Sequence, residues 1–151
     1  MDTHAEQLND KKVIGLYEVV SILPDDLQFK AKVDTGATNS SMHATDVSIY
    51  RQGTKKYVRF NTIDSNDKSV TISLPLHREA KIKRHNQKSQ ARAVVILGVC
   101  LGTVYKRVEV TLADRSRFTF PFLVGASFLK GEFVVDVASQ YMNKANCNSS
   151  S

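Results

Sequence analysis

The sequence predicts an all-β fold, a small barrel or sandwich of short strands carrying one short helix. Turn-forming clusters punctuate apolar runs: Pro24-Asp25-Asp26, Asp64-Ser65-Asn66-Asp67, and glycines at Gly98, Gly102, Gly125 and Gly131. Val70, Ile72 and Leu74 alternate with Ser and Thr, the period of a half-buried strand. Only Ala126 to Lys130 reads as helical.

The elements follow in order. Leu16 to Leu23 and Gln28 to Val33 form a hairpin about Pro24-Asp25-Asp26. Tyr57 to Ile63 and Ser69 to Leu74 form a second one about residues 64–67. Ala93 to Leu97, Tyr105 to Leu112 and Phe118 to Val124 supply the next strands, and Phe133 to Val137 the last. The polar segment 1–12 is expected to be flexible, 13–142 to form the barrel domain, and 143–151 to be a disordered tail. With 151 residues, 42% hydrophobic and 24% charged, the chain suits one globular domain. No stretch approaches the ~20 apolar residues of a bilayer span, and the first residues lack the apolar core of a signal peptide; no membrane partner is expected. Cys100 reads as a small buried apolar residue and Cys147 as part of the tail, so their spacing does not indicate a disulfide.

The chemistry concentrates in Ala31-Lys32-Val33-Asp34-Thr35-Gly36-Ala37-Thr38. A strand ending at Val33 delivers the Asp34 carboxylate into a tight turn. Gly36 permits close backbone approach, Thr35 can brace the turn through its hydroxyl, and Ala37 fits behind them. Where two such turns meet, their carboxylates share one proton, because like charges about 3 Å apart resist double ionisation. One then acts as base on a water while the other polarises a peptide carbonyl, the arrangement of aspartic proteases. The chain carries a single copy, so a working dyad needs two protomers. Asp-Thr-Gly alone equally describes an ordinary β-turn. The wider pattern separates the two readings: Phe120-Pro121-Phe122-Leu123-Val124-Gly125, an apolar strand running into glycine, leads into Ala126-Ser127-Phe128-Leu129.

These segments resemble a bacterial retropepsin-like aspartic peptidase family formerly labelled ATP-dependent zinc protease and associated with ribosomal-modification ATP-grasp ligases. The likeness extends through Met42-His43-Ala44, Val58-Arg59-Phe60, Arg92-Ala93-Val94-Val95, Val110-Thr111-Leu112 and Gly131-Glu132-Phe133-Val134-Val135-Asp136, nearly the whole domain. It implies a small closed acid-protease barrel and an aspartic endopeptidase working as a homodimer, with Asp34 from each protomer in the dyad. The compartment stays open between bacterial cytoplasm and periplasm. Where the family commonly has Gly-Arg, this chain reads Gly125-Ala126. That departure motivates an alternative, a catalytically weakened module that binds acidic peptides.

Charge is concentrated. The net charge is +6, and from His77 to Arg92 the residues Arg78, Lys81, Lys83, Arg84, Lys88 and Arg92 face a single Glu79. This segment reads as an exposed loop or extended hairpin whose charge either serves solubility or steers an acidic substrate beneath a flap; its substrate-binding candidates are Arg78, Lys81, Lys83, Arg84 and Lys88. It has no aromatic residue on which bases could stack, so nucleic acid is not an expected partner. The four histidines, His4, His43, His77 and His85, form no close ligand pair, and no metal or other cofactor is expected. His43 reads as a positioning hydrogen-bonder, and Asp136 as a structural acceptor rather than a second catalytic Asp.

Overall fold

The long first strand, β1 (Lys12–Leu23), closes the barrel by serving two partners along one edge. In the computed structural model, which describes residues 10–82 and 90–147, its first half runs parallel to β11 (Phe133–Gln140). Its last residues pair antiparallel with β8 (Gln90–Leu101), Ser21 opposite Cys100 and Leu23 opposite Gly98. The other edge pairs with β2 (Leu27–Val33). From β2 the sheet continues through β10 (Phe122–Val124), β3 (Ser40–His43) and β9 (Val104–Ala113) to β8, and so back to β1. β7 (Arg78–Ile82) hangs on β8 as a hairpin. A separate sheet holds β4 (Thr45–Gln52), β5 (Lys55–Ile63) and β6 (Ser69–Pro75). The one helix among the described residues, α1 (Ala126–Leu129), comes directly after β10.

The fold is therefore all-β, a closed barrel with a single short helix, as the turn-punctuated apolar runs imply. Phe29 and Phe122 pack at 6.1 Å between ring centres and Phe128 and Phe133 at 5.8 Å, all four deep in the interior. Val58 and Phe60 of β5 are fully buried, while Val70, Ile72 and Leu74 of β6 pack on the core from its alternating face.

Several expectations are corrected. β3 and β4 are strands the sequence did not mark: β3 is four residues of Ser, Met and His and β4 is mostly exposed, whereas β7 paired with β8 is the extended-hairpin alternative for its segment. The pairing of β3 and β4 comes from neighbours rather than from apolar periodicity. Conversely, residues 118–121 stay in a loop, so β10 is only Phe122–Val124. Gly98 does not end a strand. It sits inside β8 because a Cβ there would lie 2.3 Å from the Tyr105 hydroxyl, so the glycine makes room for that ring.

The turn after β5 is fastened to the barrel by Asp64. Its carboxylate accepts the N–H groups of Gln28, Asn66 and Lys68 at 2.8–3.0 Å. Burial pushes this carboxyl up, but the three N–H donors and the Lys68 charge together hold it below its ordinary 3.8. A depressed carboxyl contributes stability above the unfolded value and loses it as pH falls through the folded one. Thermal melts should therefore show Asp64→Asn below wild type at neutral pH, with the gap narrowing as the pH drops below about 4.

The C-terminal segment is the largest correction. Up to Cys147 it is strapped across the barrel rather than disordered, while residues 148–151 lie outside the described residues. The Asn143 N–H bonds Glu18 at 3.1 Å, the Asn146 N–H bonds the Gly102 carbonyl at 2.7 Å, and Cys147 is joined to Cys100 by a disulfide. Spacing could not indicate this pairing because the strap's approach is set by the buried Glu18. Reduction, or Cys147→Ser, should lower stability by about 2–4 kcal/mol, read from denaturant unfolding with the slope fitted for each form, since loss of the cross-link also lets the unfolded chain expand.

Candidate active site

Asp34 leaves the end of β2 and is fixed there by its own backbone: its N–H donates to the Val124 carbonyl at 2.9 Å. Topology explains this contact. β10 lies between β2 and β3, parallel to the first and antiparallel to the second, so the connection from Asp34 to Asn39 must arch over the end of β10. Three bonds tie the arch to the residues just beyond β10. The Gly125 N–H donates to Ser40 Oγ at 3.1 Å, and the Ala126 and Ser127 N–H groups donate to the carbonyls of Ala37 and Thr38 at 2.7 and 2.9 Å. The free N–H groups that open α1 are thereby satisfied by the turn itself. Within the turn, the Gly36 N–H donates to Asp34 Oδ1 at 2.9 Å and the Ala37 N–H to the Asp34 carbonyl at 3.3 Å.

The result is a half-buried carboxylate on a stiff support, with Thr35 and Gly36 exposed beside it. The bonds that hold the turn come from backbone N–H groups and from Ser40, while Thr35 faces outward. Gly125 leaves no room for substitution, since a Cβ there would lie 2.5 Å from the Asn39 carbonyl. Gly125→Ala should cost about 2–3 kcal/mol of stability by forcing the turn off β10, measured by urea unfolding. Next to the turn runs an apolar groove of about 650 Å³, lined by Thr35, Thr38, Ala126, Leu129, Phe133 and Val135.

The sequence-derived site residues thus fall into two groups. Asp34, Thr35, Gly36 and Ala37 form the arch. Arg78 and Lys81 belong to the β7–β8 hairpin, and Lys83, Arg84 and Lys88 lie outside the described residues. Lys81 is exposed, but Arg78 is committed: its guanidinium bonds Glu109, and that bond holds the Glu109 carboxyl low despite partial burial. His77 stands 3.3 Å from the same carboxylate.

Two contributors had no sequence signal. Ser40 is a buried hydroxyl with one specific acceptor role. The other is the loop joining β9 to β10. Its Arg115 N–H donates to His43 Nδ1 at 2.9 Å, and the His43 N–H donates to the Pro121 carbonyl at 2.8 Å. His43 therefore positions this loop against β3, with its ring proton on Nε2 because Nδ1 is accepting. Zinc does not fit these residues: His43 has spent one nitrogen, and among the described residues no three of His, Cys, Asp and Glu converge on one point.

A barrel whose inserted strand supports an Asp-Thr-Gly arch is the retropepsin-like acid-protease fold. The chain belongs to the RimB-like family, described as retropepsin-like aspartic endopeptidase RimB, whose model matches residues 13–146. It is similar to proteins called "Probable alpha-L-glutamate ligase". The Desulfotalea psychrophila protein is 28% identical over 86% of this chain, and the Shewanella pealeana protein 28% identical over 74%. The chain spans only 29% and 25% of those relatives' lengths. A crystal structure of Lpg0085 from Legionella pneumophila, a protein of unknown function, superposes with a TM-score of 0.74 at 26% identity, covering 87% of this chain and 98% of that one.

Proposed function

We propose that the protein is an aspartic endopeptidase that works as a C2 homodimer, each protomer giving Asp34 to a shared dyad. The observation that carries this reading is the half-exposed Asp34 carboxylate on an arch fixed by β10 and α1, present once per chain. A single carboxylate cannot divide the roles of acid and base; an isologous contact supplies the second at the symmetry axis. The apolar groove beside Thr35 gives a second copy of this chain a surface to bury next to the dyad. In the reaction, one carboxylate takes a proton from the water that attacks the scissile carbonyl. The other, protonated, donates to the carbonyl oxygen. Collapse of the tetrahedral intermediate breaks the C–N bond as a proton passes to the leaving amine.

The substrate class we favour is an acidic peptide or protein segment. Support comes from the chain's +6 charge and from relatives named as glutamate ligases. The β7–β8 hairpin is the candidate flap over such a substrate. A second reading, a binding module with weakened catalysis, is favoured by Ala126 standing where the family commonly has Arg. It predicts a monomer at high concentration, which sedimentation would reveal. The main reading is tested by cleavage of a peptide library between pH 4 and 8 with chelator present. Cleavage should be unaffected by the chelator; activity lost with it and restored by zinc would overturn the proposed chemistry.

A further inference from the structure

The loop that His43 holds against β3 carries a cluster of charge that the dyad does not use. Arg92 on β8 and Arg115 and Arg117 on the loop line one cavity of about 440 Å³, together with Ser116 and Phe118. Among the described residues, no carboxylate lies within ion-pairing distance of any of the three guanidinium groups. Asp114 also lines the cavity: its Oδ1 takes the N–H and hydroxyl of Ser116, at 3.0 and 2.6 Å, and its charge also acts on Arg117, so Arg92 and Arg115 carry the recognition. Arg115 is half-buried and held in place: its Nε donates to the Phe120 carbonyl at 3.0 Å and its guanidinium lies 4.7 Å from the Phe118 ring centre. Burial and the neighbouring Arg92 both disfavour its charge.

We infer that the Arg92–Arg115–Arg117 cavity is the specificity site that binds a carboxylate side chain of the substrate. The loop that carries Arg115 and Arg117 runs into β10, the strand that supports the Asp34 arch. The Pro121 carbonyl takes the His43 N–H, and three residues later the Val124 carbonyl takes the Asp34 N–H. At ~3.3 Å per residue these two anchor points, one at the base of the loop and one under Asp34, lie ~10 Å apart, an interval an extended substrate covers in about three residues. A planar guanidinium fixed from behind presents its remaining N–H groups to a carboxylate with little further loss of freedom. The exposed Lys81, by contrast, offers only a screened point charge.

This inference rests on the acidic-substrate reading above, and its test is made on Asp34→Asn protein so that binding is read without turnover. The probe is a fluorescein-labelled peptide of alternating Glu and Ala, compared with its Gln-Ala counterpart by anisotropy at physiological salt. Arg92→Gln and Arg115→Gln should each weaken the Glu peptide about tenfold, the worth of one charge-assisted bond, and leave the Gln peptide unchanged. Lys81→Gln, which removes the same charge, should change it less than twofold. Equal weakening by Lys81→Gln and Arg92→Gln, or no weakening by Arg92→Gln, would overturn the assignment. Among the described residues the Arg92 side chain bonds no backbone carbonyl, so its variant separates recognition from any folding defect in Arg115→Gln. If the unmutated dyad cleaves no peptide while this discrimination holds, the catalytic reading fails and the binding site stands. Neutral and acidic peptides binding equally would end the acidic-substrate reading itself.

Discussion

Asp34→Asn should reduce peptide cleavage by at least about a thousandfold while the protein remains folded and dimeric. The size of the loss reflects the work of the carboxylate. In the proposed dyad it would be the base that activates water and then the acid that releases the amine, and acid–base assistance of this kind is worth about 10²–10⁴ in rate. Because both copies change at once in a homodimer, no wild-type carboxylate remains to serve half of the cycle. The fold should survive for a local reason. The Gly36 N–H donates to Asp34 Oδ1, and an Asn Oδ1 can accept the same bond. The other bonds of the arch involve backbone groups and Ser40 and are untouched by the change. Cleavage assays paired with sedimentation velocity check both halves. A variant that cleaves at the wild-type rate would remove Asp34 from the chemistry; a variant that falls apart to monomers would show that the carboxylate also holds the interface.

How much of this was readable in the chain depends on which physical signal each part leaves. The barrel class was readable because apolar runs of strand length, interrupted by Gly and Asx turns, are a local signal. The arch was readable because Asp34-Thr35-Gly36 and the Phe122–Gly125 strand are each contiguous, even though the fold joins them across some ninety residues. The unreadable parts depend on partners distant in sequence. β3 and β4 lack apolar periodicity and exist because β9 and β5 pair with them. Ser40 is one serine among several until Gly125 points its N–H at it. Arg78 looked like a free substrate contact until Glu109, thirty-one residues on, was found to hold it. Arg115 carried no mark at all, since its burial depends on the loop that His43 anchors. The polar tail misled for the same reason: its composition resembles disorder, but its attachment is decided by Glu18 at the other end of the chain.

Glu18 is accordingly where the largest loss of stability is expected: Glu18→Ala should cost about 3 kcal/mol or more. It is a fully buried acidic residue on β1 whose carboxylate joins two segments. Oε2 accepts the Gly15 N–H at 2.7 Å, and Oε1 accepts the Asn143 N–H at 3.1 Å. The Asn143 side-chain amide adds a bond to Oε2 at 3.3 Å. Close packing at Gly15 makes the first of these hard to replace, because Ser139 already occupies the space a Cβ would need. Truncation therefore leaves a buried N–H without an acceptor, opens a cavity, and releases the strap that carries Cys147. In a domain of this size the loss should appear as a fall of roughly 6–12 °C in melting temperature. Glu18→Gln should lie between, since one accepting oxygen remains while an NH2 group now faces N–H donors. The disulfide supplies the decisive comparison. If Glu18 acts by holding the strap, its truncation should cost less in a Cys147→Ser background, where the strap has already lost its far anchor, and the two losses should be less than additive. Full additivity would mean that Glu18 acts only on the β1 bend around Gly15, and that the strap is held by the disulfide alone.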